Sequence, residues 1–228
     1  PHRLVKKRKI KVLIIKKRRY KLDDLNSIEY RNEDSRNERR NIKIAIIDDE
    51  EIPFLDSLKN SGFNIKHYRD IDNFDMLSDY QIIISDIDGV GKSFSSEYQG
   101  AYILKEIKKL YPDKFLIAMS SKIYNISFSE ILESADIKIN RDVTVDTVGD
   151  KIDIAMNAVS SVKKRWLRVR KQLIDIYDMD LFDVWEIEQD VIDSIINKKS
   201  KINQDRIQKL FGQVVLGVVA NFISGVIL

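Results

Sequence analysis

The sequence predicts an α/β protein: a five-stranded parallel sheet wound on both faces by helices, followed by a helical module. Three observations carry that prediction. Apolar, β-branched runs alternate with segments of helical spacing between residues 42 and 160. The central runs lack polar alternation, as strands covered on both sides do. Polar residues collect at the carboxyl ends of those runs, where open α/β sheets place their ligands.

In order, Ile42–Ile47 reads as the first strand and ends in Asp48-Asp49-Glu50. Ile52 to Leu58 has helical spacing and is closed by Ser61-Gly62. Phe63–Tyr68 is a second strand, and Phe74–Leu77 a short helix. Gln81–Ser85 is the third strand, ending in Asp86. Ala101–Leu110 is a helix that Pro112 stops. Phe115–Met119 is the fourth strand, ending in Ser120, and Phe128–Leu132 lies in another short helix. Ile137–Ile139 is a weak fifth strand ending near Arg141. From Val145 the apolar spacing continues to Ile176, which suggests one long helix running out of the domain.

Two flanking regions complete the chain. Residues 1–41 hold 15 Lys+Arg against 6 Asp+Glu, a local charge of +9, while the rest carries −6. Residues 1–41 are a basic arm and linker, with Lys9–Ile15 strand-like and Asp23–Arg40 polar. Such an arm suits nucleic acid or an anionic membrane, or is a solvated extension. Residues 161–228 read as a helical output or dimerisation module, with helices over Leu181–Ile196 and from Gln204 onward and a hinge at Asn197–Lys201. A basic flank runs from Lys163 to Lys171. Residues 210–228 carry no charge. Gln213, Gly217, Asn221 and Ser224 form a small-polar stripe suited to a homodimer or bundle, and the apolar length also approaches a bilayer span. The absence of cysteine excludes disulfides, thiol catalysis, zinc–thiolate and iron–sulfur sites.

The strand ends deliver Asp48, Asp49, Asp86, Ser120 and Arg141 to one edge. Carboxylates are the hard oxygen ligands that Mg²⁺ takes, with water and phosphate completing its shell. A carboxylate can also carry a phosphoryl group, and a cation such as Arg141 can neutralise it. The structural alternative is that these aspartates and Ser120 only cap helix N-termini.

Over about half of its length the chain resembles the receiver domain of two-component response regulators. The matching residues are Ile46–Glu50, Ile82–Asp86, Leu116–Ser121 and Ser134–Arg141. The resemblance implies a flavodoxin-like five-stranded parallel sheet, with Asp86 as phospho-acceptor, Asp48, Asp49 and Asp86 around Mg²⁺, and Ser120 as the switch hydroxyl. It implies a histidine kinase or phosphotransfer protein as donor, a cytoplasmic location, and no turnover in the ordinary enzymatic sense. The family's lysine falls on Arg141, its following proline on Asp142, and its aromatic switch position on Lys138. These departures leave open a phosphorylation-independent pseudo-receiver scaffold. Further alternatives are a DNA-binding regulator using the basic arm, and a haloacid-dehalogenase-like phosphatase. In the latter, Asp86 and Asp88 of Asp86-Ile87-Asp88-Gly89 would act as nucleophile and acid/base, with Gly149-Asp150 and Asp153 as its acidic motif.

Overall fold

The computed structural model describes residues 20–28, 39–95, 97–121, 133–198 and 204–227. The strand-like run Lys9–Ile15 and the expected helix Phe128–Leu132 lie outside the described residues.

The strands are β1 (Lys43–Ile47), β2 (Asn64–Tyr68), β3 (Ile82–Asp86), β4 (Phe115–Ser120) and β5 (Ile137–Asn140). They form one sheet in the order β2-β1-β3-β4-β5, with every pair parallel. β1, β3 and β4 are covered on both faces, which explains their uniformly apolar sequences. A two-residue alternation survives in where their side chains go. Ile44, Ile46, Ile82, Ile84, Ile117 and Met119 face one layer, built on α1 (Leu55–Asn60) and α3 (Val145–Val159). Ala45, Ile47, Ile83, Leu116 and Ala118 face the other, built on α2 (Gln99–Leu110). A 3-10 turn at Phe74–Leu77, capped by Asn73, sits at the position expected for a short helix.

The C-terminal module contains α4 (Val162–Asp175), α5 (Leu181–Ile196) and α6 (Gln204–Ile227). They share a separate core around Trp166, Val191, Val219 and Phe222. One sequence expectation is corrected here. Val145–Ile176 is not one helix: the chain breaks at Ser160-Ser161, and the Ser161 side chain accepts from Lys164 N–H as the N-cap of α4. Of the small-polar stripe of α6, Gly217 and Asn221 are half-buried, and Asn221 donates to the Leu110 carbonyl. Gln213 and Ser224 are exposed, and Val215, Val218, Val219, Phe222 and Ile223 form the buried face. α6 is kinked at Gly212, where φ is +86°. It is long and apolar enough to cross a membrane, and 33 % of its most apolar window is buried in the bundle.

The expected linker is partly structured. Residues Leu22–Ile28 form a 3-10 helix that inserts fully buried Leu25 into the helical core. The basic flank of α4 is spent on packing. Arg165 meets Asp113 at 2.6 Å with both side chains about 95 % buried, and also donates to the Gly225 carbonyl. Arg168 reaches Asp136 and the Lys114 carbonyl. Asp113, Lys114 and Asp136 precede β4 and β5, so the module sits against the amino ends of these strands. Lys114 is buried there, donating to the carbonyls of Ser78 and Tyr80, and burial pushes its ammonium pKa down to about 8.

Candidate functional site

β1 ends at Ile47, and the next residue, Asp48, is fully buried. β3 ends on Asp86, also buried. The parallel register places Ile47 opposite Ser85, so the two carboxylates emerge side by side. This is where the strand order reverses, with the chain passing from β1 to β2 on one side and then to β3 on the other. Exposed Asp49 completes the group. One carboxylate oxygen from each of Asp48, Asp49 and Asp86 lies within 4.8 Å of the other two. Oxygens around one Mg²⁺ are at most ~4.2 Å apart, so a small side-chain adjustment or a bridging water closes the set. The hard, all-oxygen donors fit that ion, which would supply charge neutralisation for a phosphoryl group.

Arg141 follows β5 and crosses to this rim. Its Nη1 donates to Asp86 Oδ2 at 3.0 Å, and its Nη2 to Asp48 Oδ1 at 2.7 Å and Oδ2 at 2.9 Å. Glu50 lies 3.1 Å away on the outer side. The planar fork thus spans two carboxylates, which a lysine point charge cannot do with the same geometry. Burial works against its charge, but Asp48, Asp86 and Glu50 hold its pKa above the ordinary value. Burial, then the Asp48 charge, push the Asp86 carboxyl up from 3.8 to about 6. Arg141 and the backbone N–H groups of Ile87 and Asp88 pull the other way. Beside the pair opens a groove of about 470 Å³ lined by Glu50, Ile52, Phe54, Met119 and Val143.

Ser120 ends β4 and is buried. Because Asp86 pairs with Met119, Ser120 lies one residue beyond it on the neighbouring strand. Its carbonyl accepts from Arg141 N–H, which ties the β4 end to the cation. Lys138 is exposed on β5 and stands apart from the acidic rim. Asp88 lies in the loop after β3. Asp150 and Asp153 sit on α3, where Asp153 pairs with Arg39 at 2.7 Å beside Ser61. The acidic motif of the phosphatase alternative is therefore not brought to this rim.

Sequence reasoning missed the glycines that let the backbone close here. Gly89 has φ +93°, and a Cβ there would lie 2.3 Å from Asp49 Oδ1. At Gly100 a Cβ would meet the Asp86 carbonyl oxygen at 1.8 Å, so only glycine lets the start of α2 approach β3 this closely. Gln99 and Asp70 hold the intervening loop, accepting from Gly89 N–H and Gly91 N–H. The available signal was the Gly89/Gly91/Gly100 spacing after an acidic strand end. It marks a loop but does not say what the loop touches.

No protein-family model matches the sequence, and no curated protein matches it. Among solved structures the chain is similar to a CheY-like response regulator receiver domain protein from Methanospirillum hungatei JF-1. Identity there is 19 %, covering 52 % of this chain and 95 % of that one, with a TM-score of 0.43. The receiver domain of NtrX from Brucella abortus shows 22 % identity over 50 % of this chain and 98 % of that one, at 0.42. The response regulator TrrA from Thermotoga maritima, in complex with Mg²⁺-BeF, shows 21 % identity over 50 % and 98 %, at 0.40. About half of this chain is thus similar in structure to response regulator receiver domains, a likeness of fold.

Proposed function

We propose that the chain is a signal-transduction response regulator in which Asp86 accepts a phosphoryl group with Mg²⁺ and thereby controls the C-terminal helices. The observation that carries this is the meeting of Asp48, Asp49 and Asp86 within 4.8 Å, with Arg141 bridging Asp48 and Asp86. A buried acidic pair and its neighbour are costly unless a cation serves them. The groove lined by Asp48 and Arg141 is the approach assigned to the donor in this reading. In the proposed step an Asp86 carboxylate oxygen attacks the phosphorus of a phosphohistidine. The P–N bond breaks, its electron pair returns to the imidazole nitrogen, and that nitrogen takes up a proton. Arg141 holds negative charge at Asp86 Oδ2, and the Ser120 hydroxyl is the donor proposed to sense the new phosphoryl oxygens. The chain is read as a phospho-acceptor and not as a turnover enzyme.

Coupling to the helices is supported by continuity. β4 runs from Ser120 at the rim to Phe115, immediately after the Asp113 and Lys114 that meet α4. A second reading, a phosphorylation-independent scaffold, is favoured by one feature: Arg141 already neutralises Asp48 and Asp86. Incubation with acetyl phosphate and Mg²⁺, followed by mass mapping, separates the two. The phospho-acceptor reading expects one adduct on Asp86, absent in Asp86→Asn. An intact chain with no adduct leaves the scaffold.

A further inference from the structure

The helical module leaves part of its apolar surface open. Ile176 follows α4, Leu181 and Phe182 begin α5, and Leu210 and Val214 flank the Gly212 kink of α6. These five side chains are 58–64 % exposed. A depression of about 460 Å³ at the α4–α5 junction draws them onto one face. It is lined by Tyr177, Met179, Leu210 and Val214, and by Asp180 and Asp183, which bracket Leu181 and Phe182. The Phe182 ring rests on Trp185 of its own helix, with centroids 5.8 Å apart. Five side chains of this size, three-fifths open, present on the order of 500 Å², at the upper end of what a monomer leaves bare. That is more than half of the ~800 Å² per partner in an interface of standard size.

The charges around this face are unevenly committed. Glu186 and Asp190 face Arg206, Glu188 accepts from Trp166, and Asp180 caps α5. Asp175 and Asp178 at the junction, and Lys209 beside Leu210, are exposed and make no ion pair among the described residues. The open carboxylates therefore belong to the α4–α5 side of the patch and the open ammonium to the α6 side.

We propose that this face is a two-fold interface with a second copy of the chain, in which Leu181 and Phe182 of each copy seat against Leu210 and Val214 of the other. A two-fold contact is self-complementary: when Lys209 of one copy meets Asp178 of the second, the reverse pair forms as well. One contact then serves both signs of open charge and covers the apolar side chains between them. An anionic bilayer would meet Asp175 and Asp178, and a cationic partner would meet Lys209. The small-polar stripe of α6 is a different face, since its Asn221 is spent on the Leu110 carbonyl. The interface lies in the helical module, so this inference does not depend on the phosphoryl-acceptor reading.

Analytical sedimentation of the full chain, with no phosphoryl donor present, reads this directly. The expected result is a monomer–dimer equilibrium between about 1 and 100 μM, lost in Phe182→Asp and in Leu210→Asp. Both positions are exposed, so each variant should keep the parent's circular dichroism spectrum, and the second guards against misfolding of the first. Ile154→Asp, at an exposed apolar position on α3, should dimerise like the parent. Lys209→Glu should weaken dimerisation about 10-fold, and adding Asp178→Lys should restore it. Asp178 has φ +49°, a conformation that Lys198 of this chain also adopts. A parent that stays monomeric at ~100 μM overturns the proposal. So does a dimer untouched by Phe182→Asp and Leu210→Asp, or one that Ile154→Asp breaks equally, or a monomer that instead sediments with vesicles of neutral lipid.

Discussion

Replacing Arg141 with alanine tests the electrostatics of the rim. In the native chain one guanidinium serves both Asp48 and Asp86, at 2.7–3.0 Å. At an effective dielectric of ~20, each contact corresponds to roughly 4 kcal/mol of Coulomb attraction. The variant does not lose that full amount, because Asp86 has an escape. Its pKa is already about 6, so taking up a proton at pH 7 costs only about 1.4 kcal/mol. Asp48 then loses its charged hydrogen bonds, worth about 1.5–3 kcal/mol. The expected loss at pH 7 is therefore about 3–4 kcal/mol, falling by about 1 kcal/mol at pH 5, where Asp86 is mostly protonated in both proteins. Urea unfolding in chelator-containing buffer, at both pH values and with unchanged m, measures this. Added Mg²⁺ should stabilise the variant more than the parent, since the ion takes over the missing positive charge. A loss below about 0.5 kcal/mol, the size of an exposed ion pair, would refute the reasoning. A loss independent of both pH and Mg²⁺ would refute it equally.

Three further outcomes follow from the same structure. Asp86 binds its proton more tightly in the folded chain than in the unfolded one, so its penalty is fully present above pH 6 and fades as the pH falls toward 3.8. That penalty is about 3 kcal/mol at pH 7, so Asp86→Asn should stabilise the metal-free chain at pH 7 and lose that advantage near pH 4, as read by chemical unfolding. Asp113→Ala leaves Arg165 buried without its carboxylate and should cost about 3–5 kcal/mol, while Asp113→Leu with Arg165→Met should recover most of it in a thermal unfolding series. Gly100→Ala must push α2 away from the Asp86 carbonyl and should cost at least about 2 kcal/mol, with weakened Mg²⁺ binding measured by calorimetry on the variant that still folds.

The strand ends were legible in the sequence because a sheet buried on both faces must be written in long apolar runs, and those of β1 and β3 stop where their acids begin. Asp48 and Asp86 could be assigned to one edge for that reason, and parallel register did the rest. Arg141 was legible as a cation near the edge. Its fork across two carboxylates was not, because β5 is short and where its end falls depends on pairing with β4. The break at Ser160-Ser161 was hidden by apolar spacing that continues across it, although Ser161 is a good cap residue. The basic flank of α4 was legible as a run of charge, but what it pairs with was not. Its partners, Asp113 and Asp136, lie some 50 and 30 residues away in sequence, and no local pattern announces them.

The most direct test of the acidic rim is a calorimetric titration of the intact chain with Mg²⁺ in the presence of beryllofluoride. One ion per chain is predicted, with beryllofluoride bound only when Mg²⁺ is present, and with binding lost in Asp49→Asn and in Asp86→Asn. Unaltered binding in both variants, or no uptake by the folded parent protein, would contradict a cation shared by Asp48, Asp49 and Asp86.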